Sequence, residues 1–261
     1  MSNETLGIIG GTGWLGGSIA KAVLAKGLFP AGKLVISNRS GIHPLAHEGA
    51  SLVTDNQALV DRSDLVIVAV RPEHFASLNI NATGKTIISL MAGITAQTIA
   101  AQTSAATVVR AMPNAAVEIQ QSFTPWYCFG AMDASEKNVV QRLFECVGTA
   151  AEVQEEGFID YLSALSGTGP AFPALLMTAL SNQAVAAGIP ADIAQLAAKN
   201  VVVNSSQLLA SRDAQEILDA LVAYRGVTAA ALQAMTRAHF EALIGTALQE
   251  GAAVARKGLQ S

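Results

Sequence analysis

The residues best placed to do chemistry lie near the amino terminus. Gly11-Thr12-Gly13-Trp14-Leu15-Gly16 has the G-x-G-x-x-G spacing. It stands between a short apolar run, Thr5 to Gly10, and a helical pattern from Gly17 to Lys26 that stops at Gly27. Strand, glycine turn and helix in that order form a dinucleotide-binding fingerprint. Gly11 permits the tight turn, Gly13 lets a pyrophosphate approach the backbone, and Gly16 lets the helix pack on the strand. Thr12, Trp14 and Leu15 complete this cofactor-binding turn. The next apolar run, Lys33 to Ser37, ends in Asn38-Arg39-Ser40 rather than in a carboxylate. An acid here would accept a ribose 2′-hydroxyl and repel a 2′-phosphate, whereas Arg39 pairs with that phosphate and Asn38 and Ser40 donate to it. The expected cofactor is therefore NADPH, with NADH the weaker ligand.

Three further apolar runs end in turns that would line the same cleft, because ligands of open α/β sheets bind beyond the carboxyl ends of the strands. Asp64 to Val70 runs into Arg71-Pro72, Lys85 to Leu90 into Met91-Ala92-Gly93, and Thr107 to Arg110 into Ala111-Met112-Pro113-Asn114. Val70, Arg71, Pro72, Ala92, Gly93, Met112 and Asn114 are candidate cofactor contacts, with Met112 and Ala92 as an apolar wall and Asn114 as a directed hydrogen bond. Asn56 is a candidate near the adenosine. A second glycine-rich stretch, Leu165 to Phe172, holds Ser166, Gly167 and Thr168 ahead of a long apolar run. It reads either as a tight turn between helices or as a place where a starting helix offers N–H groups to a ligand.

The elements that must position these residues fall into two sets. Near-continuous apolar strands imply a sheet covered on both faces, and a helical pattern over Ala134 to Val147 and a last strand at Ala150 to Val153 extend it. Glu118 to Phe129 also reads as strand. From Phe158 onward strand signals vanish, and helices are expected near 157–166, 171–187, 190–211, 213–222 and 228–256. The fold class is α/β plus all-α: a Rossmann-type doubly wound sheet over 1–156, then a helical domain over 157–261. The alanine-rich helices have little outside polarity, which points to burial against a second copy, a homodimer.

Bulk properties exclude several classes. Of 261 residues 51% are apolar and 14% charged, and the net charge of −4 argues against a nucleic-acid surface. Cys128 and Cys146 lack metal or redox spacing and the four histidines lack ligand spacing, so no metal is expected. The apolar stretch from Ala171 to Ala187 carries Thr178, Ser181, Asn182 and Gln183, which speaks against a membrane span. With no signal-peptide pattern after Glu4, a cytoplasmic location is expected.

Arg110-Ala111-Met112-Pro113-Asn114 and Ala164-Leu165-Ser166-Gly167-Thr168-Gly169-Pro170-Ala171-Phe172, with the glycine turn, Ser37 to Ser40, Ala69-Val70-Arg71-Pro72 and Ala92-Gly93-Ile94, give the chain a nearly end-to-end resemblance to the pyrroline-5-carboxylate reductases. The resemblance implies NAD(P)H-dependent reduction of a cyclic imino acid, 1-pyrroline-5-carboxylate, to proline. It also implies an interleaved dimer, in many members built into larger oligomers. The substrate carboxylate would be held around Ser166, Gly167, Thr168 and Gly226, and Thr228 would hydrogen-bond the ring nitrogen and relay its proton, or serve as a helix N-cap.

The chain also departs from the family. Lys precedes the family's Pro where Arg71 stands here. Gly10 before Gly11-Thr12-Gly13 also resembles the turn of coenzyme F420-dependent NADP reductases. The family's Thr-Pro after Met-Pro-Asn is Ala115-Ala116. Its Ser-Pro-Gly-Gly-Thr-Thr loop is Ala223-Tyr224-Arg225-Gly226-Val227-Thr228, in which only Gly226 and Thr228 match. Arg225 is then a carboxylate clamp, a partner for a second acidic group on another substrate, or a solvent-facing residue. The alternatives to a pyrroline-5-carboxylate reductase are a reductase for a different cyclic imine and a non-catalytic NADPH-binding paralogue.

Overall fold

The computed structural model describes residues 4–38, 40–41, 45 and 48–257. They divide into two compact units, one from the amino terminus to Thr168 that takes back the chain from Gln249 onward, the other Gly169–Leu248.

The first unit is built on one sheet of order β3-β2-β1-β4-β5-β6-β7-β8. Its strands are β1 (Leu6–Ile9), β2 (Leu34–Ser37), β3 (Ser51–Val53), β4 (Leu65–Val68), β5 (Thr86–Ser89), β6 (Thr107–Ala111), β7 (Ser122–Phe129) and β8 (Gly148–Glu152). All neighbours pair in parallel except β6 and β7. The side-chain period of two sends Leu6 and Ile8 to one face and Ile9 to the other. The first face packs on α1 (Trp14–Ala25) and α4 (Ala134–Glu145) through Ile19, Val23, Val140, Leu143 and Phe144. The second packs on α2 (Asn56–Asp61) and α3 (Ala96–Thr103) through Leu59, Val60, Ala96 and Ile99. Because both faces are covered, these strands read as unbroken apolar runs rather than as alternating patterns. The order 3-2-1-4-5-6 is that of a Rossmann sheet, and its switch point lies between β1 and β4.

α5 (Glu156–Leu162) follows β8 and widens into a π-helical turn, Ser163–Gly167. The wider turn gives up the backbone bonds that an α-helix makes to the carbonyl four residues back. Three hydroxyls replace them: Ser163 donates to the Ile159 carbonyl, Ser166 to that of Leu162 at 2.8 Å, and Thr168 to that of Ala164.

The second unit is wholly helical among its described residues. It comprises α6 (Ala171–Ala186), α7 (Ala191–Lys199), α8 (Ala214–Ala223), α9 (Val227–Arg237) and the first turns of α10 (Phe240–Lys257), whose end belongs to the first unit. No residue of α6 or α8 is buried, and Leu175, Leu196 and Leu243 are more than 60% exposed.

Several expected boundaries differ. α1 begins at Trp14, inside the fingerprint, not at Gly17. Glu118 belongs to a 3₁₀ turn, Ala115–Ile119, whose N-cap Asn114 accepts from the Ala116 N–H, so β7 starts only at Ser122. The helix expected over 190–211 is α7 followed by a π segment and a 3₁₀ segment. That expected over 228–256 is broken between α9 and α10, where His239 takes a left-handed conformation at φ 56°. No glycine marks that break, which hides it in the sequence.

Candidate functional site

The glycine turn sits at the switch point. Gly10 closes β1 at φ +78°, a conformation that glycine reaches without a Cβ penalty, and a Cβ there would stand 2.6 Å from the Ala69 carbonyl oxygen. Gly16 is as tightly held: its Cβ would meet the Gly10 carbonyl oxygen at 2.6 Å. Gly13 is the N-cap of α1, and no side chain caps it. The first N–H groups of a helix have no partner within it, so α1 presents uncapped donors and the positive end of its dipole at the turn. Those donors, with no side chain at Gly13, are what a dinucleotide pyrophosphate requires, and the residues present fit it.

A cavity of about 490 Å³ opens there, lined by Gly10, Thr12, Gly13, Ser37, Asn38, Ser40, Thr54, Asn56, Ala69, Val70, Arg71 and His74. The structure thus brings together the ends of β1, β2 and β4 and, of the expected cofactor contacts, Thr12, Gly13, Asn38, Ser40, Asn56, Val70 and Arg71. Asn56 accepts from the Ser37 hydroxyl at 2.8 Å, which leaves its amide nitrogen to donate. Asn38 accepts from the Gly41 N–H at 2.7 Å. Arg71 is exposed, 3.6 Å from Glu73, and precedes Pro72 at the start of a 3₁₀ turn. Thr54, His74 and Ser77 line the cavity too; in the sequence only their nearness to Asn56 and to the Arg71-Pro72 turn points to them. Arg39, expected at the 2′-phosphate, lies outside the described residues. On the far side of the glycine turn the Trp14 indole N–H donates to Glu118.

Farther along the sheet edge, the end of β6 meets the π turn. A Cβ on Gly167 would stand 3.8 Å from Met112 Cγ. The Asn114 side-chain amide donates to the Ser166 carbonyl oxygen at 2.9 Å while its own oxygen caps the 3₁₀ turn. Arg110, buried at the end of β6, reaches Glu156 at 2.9 Å and Asp160 at 3.0 Å on α5. The same Glu156 oxygen accepts the Ala96 N–H at 2.7 Å, so α5 is also tied to the start of α3, shortly beyond the Ala92-Gly93 turn. In the sequence Arg110 stands on a strand with no evident role, because its partners lie 46 and 50 residues away.

The Ser166 to Thr168 stretch differs from expectation in one respect. It ends a helical segment instead of opening one, with Thr168 as the C-cap. The uncapped helix start lies later, at α6 with Pro170 as N-cap. In the second unit Gly226, not Thr228, is the N-cap of α9, again without a side-chain cap; Thr228 is the helix's second residue and exposed. Arg225 ends α8 at φ 53°, and both it and Tyr224 are exposed. Burial pushes the Cys128 and Cys146 thiols above the ordinary thiol range, Lys137 pulling the first back slightly and Lys26 the second. Among the described residues no group of three His, Cys, Asp or Glu is placed to hold a metal, and no helix is long and apolar enough to cross a membrane.

A Rossmann sheet with an open glycine turn, followed by a separate helical unit, defines a nucleotide-dependent oxidoreductase. The comparisons agree. The model described as "NADP oxidoreductase coenzyme F420-dependent" matches residues 5–93, and that described as "Pyrroline-5-carboxylate reductase dimerisation" matches 156–258. Together with the relatives below, these matches support the pyrroline-5-carboxylate reductase family for this chain. It is 26% identical over 262 residues to the pyrroline-5-carboxylate reductase of Pisum sativum, covering 97% of this chain and 94% of that one. A solved pyrroline-5-carboxylate reductase from Coxiella burnetii superposes with a TM-score of 0.86 at 26% identity, over 98% of both chains. That of Plasmodium falciparum, solved with NADP bound, shares the fold at a TM-score of 0.81 and 20% identity, over 98% of both chains.

Proposed function

We propose that the protein reduces 1-pyrroline-5-carboxylate to L-proline with NADPH, the last step in making that amino acid. The observation that carries this is the cleft at the switch point, in which an uncapped glycine turn and the polar group Asn38, Ser40, Asn56 and Arg71 share one cavity. NADPH, when bound, supplies the hydride that adds to the C=N carbon. The chain's own task is alignment, for which oriented groups are worth up to roughly 7–11 kcal/mol of barrier. The N–H groups opening α1 hold the pyrophosphate, and Arg39 with Asn38 and Ser40 selects the 2′-phosphate. Met112 and the Ala92-Gly93 turn wall the nicotinamide side.

A protonated cyclic iminium is already electrophilic, so the chemistry demands no strong acid. The reading gives Thr228 the proton at the ring nitrogen and gives the carboxylate to the uncapped start of α9 at Gly226, with Arg225 beside it. The backbone of Ser166, Gly167 and Thr168 faces the substrate as well. The functional boundary falls at 156/157, supported by the start of the dimerisation match at residue 156.

The second unit supports a homodimer. Its apolar helices are bare, and α8, α9 and the start of α10 enclose a hollow of about 1060 Å³ faced by Leu218, Val222, Leu232, Met235 and Phe240. Uncovered apolar surface on that scale marks an interface. Two free cysteines, one buried and one half-buried, suit a reducing compartment such as the cytoplasm.

One observation favours a second reading. Arg225 holds a left-handed conformation where the family has glycine, and Tyr224 is 90% exposed, so the 223–228 loop is built for a different neighbour. A six-membered or sulfur-containing cyclic imine is the alternative substrate. NADPH oxidation against a panel of cyclic imines decides: turnover of the five-membered imino acid supports the first reading, turnover of another ring alone supports the second, and NADPH binding without turnover of any ring refutes both.

A further inference from the structure

The Asn114 side-chain amide is engaged at both ends. Its oxygen accepts the Ala116 N–H at 2.9 Å, its nitrogen donates to the Ser166 carbonyl at 2.9 Å, and its backbone N–H donates to the Ser122 hydroxyl at 3.0 Å. A side-chain amide held at both ends is fixed in orientation, its plane set by the 3₁₀ turn on one side and the Ser166 carbonyl on the other. The Ser166 carbonyl thereby takes a donor from outside its own helix, which ties the Ser166–Gly167 peptide plane to the end of β6. That plane belongs to a π turn, a geometry that seldom persists without local compensation and that recurs at functional sites. Here the hydroxyls of Ser163, Ser166 and Thr168 compensate from within the turn. Asn114 supplies the link from outside, and it does so from the sheet end that also carries Met112.

We infer that Asn114 is a positioning residue. By holding the Ser166 carbonyl it sets the π turn at a fixed distance from the Met112 wall, so that the substrate-facing backbone and the nicotinamide-facing strand end keep one spacing. This rests on the reading that residues 166–168 face the substrate, and it assigns Asn114 to the substrate side of the reaction although it touches neither ligand.

The test uses two substitutions in the full-length protein. Asn114→Asp keeps the oxygen that caps the 3₁₀ turn but sets a carboxylate oxygen against the Ser166 carbonyl. Asn114→Ser also retains a capping oxygen, is neutral, and is too short to reach Ser166. Both raise the KM for 1-pyrroline-5-carboxylate about tenfold, the worth of one buried hydrogen bond. Both leave kcat within about threefold on the same scale, and leave NADPH affinity, read by quenching of tryptophan fluorescence, unchanged. In both, amide hydrogen exchange in a peptide spanning 159–168 quickens while that in a peptide spanning 134–145 does not.

Loss of NADPH affinity with unchanged KM would make Asn114 a cofactor contact and overturn the inference. A KM effect in Asn114→Asp alone would make it electrostatic, with the same result. Unchanged exchange over 159–168 refutes it whatever the kinetics. If the unsubstituted protein fails to reduce the imino acid, the functional reading falls by itself, and the exchange measurement still decides whether Asn114 holds the turn.

Discussion

Replacing Arg110 by Met removes the centre of a buried ionic cluster, and its cost can be worked from the geometry. The guanidinium is 3% exposed and makes charge-assisted bonds of 2.9 and 3.0 Å to Glu156 and Asp160, whose side chains are 26% and 12% exposed. Breaking a buried pair from one side costs about 3–5 kcal/mol, because the remaining charges are left without a partner. Partial exposure lets Glu156 and Asp160 recover some hydration. The Arg110 Nε, buried without a partner among the described residues, carries a desolvation cost that the substitution removes. Both corrections lower the expectation to about 3 kcal/mol, or roughly 6–12 °C in Tm for a unit of this size.

Thermal and urea unfolding at fixed protomer concentration measures the loss. Arg110→Lys should fall between, since an ammonium lacks the fork that reaches two carboxylates. The triple variant Arg110→Met, Glu156→Gln, Asp160→Asn should regain more than half. It leaves no unpaired charge, and the amide oxygen introduced by Glu156→Gln still accepts the Ala96 N–H. A loss below about 1 kcal/mol in Arg110→Met, the range of exposed pairs, would refute the claim that this cluster fixes α5 to the sheet.

The glycines of the fingerprint should separate by role. Gly13→Ala, whose Cβ meets only the Gly10 oxygen at 3.2 Å, should keep its Tm and lose NADPH affinity about tenfold or more; Gly16→Ala, at 2.6 Å from that oxygen, should lose about 1–3 kcal/mol of stability. Arg225→Gly should melt no lower, since glycine takes the φ of 53° without the left-handed penalty of about 1–2 kcal/mol, and should raise KM about tenfold if the guanidinium grips the carboxylate; an unchanged KM makes Arg225 a surface residue. Burial raises both thiol pKa values, so thiolate forms only at higher pH than in a free thiol. Cys128 and Cys146 should therefore react with a disulfide reagent at about pH 8 more slowly than free cysteine, and at the ordinary rate once urea unfolds the chain.

The strands that carry the site were legible because burial on both faces writes them as continuous apolar runs, as Leu65–Val68 and Thr86–Ser89 show. The short edge strand Ser51–Val53 was not, since it is only half-buried and carries no such run. The glycine turn, the cleft and the helical second half followed from local patterns. The π turn did not, because one widened turn is too short to leave a periodicity of its own, and only the spacing of hydroxyls at Ser163, Ser166 and Thr168 hints at it. The helix break at His239 was hidden by a left-handed residue that is not glycine. The Arg110 cluster and the Asn114 link join residues 50 and 52 positions apart, which no local pattern records.

The central claim concerns where a hydride goes. Incubation of the protein with 1-pyrroline-5-carboxylate and NADPH carrying deuterium at the transferable position of the nicotinamide should yield L-proline with one deuterium, on the ring carbon that was doubly bonded to nitrogen and not on the carbon that bears the carboxylate. Proline without the label, or no proline at all while the nucleotide stays reduced, would contradict the account.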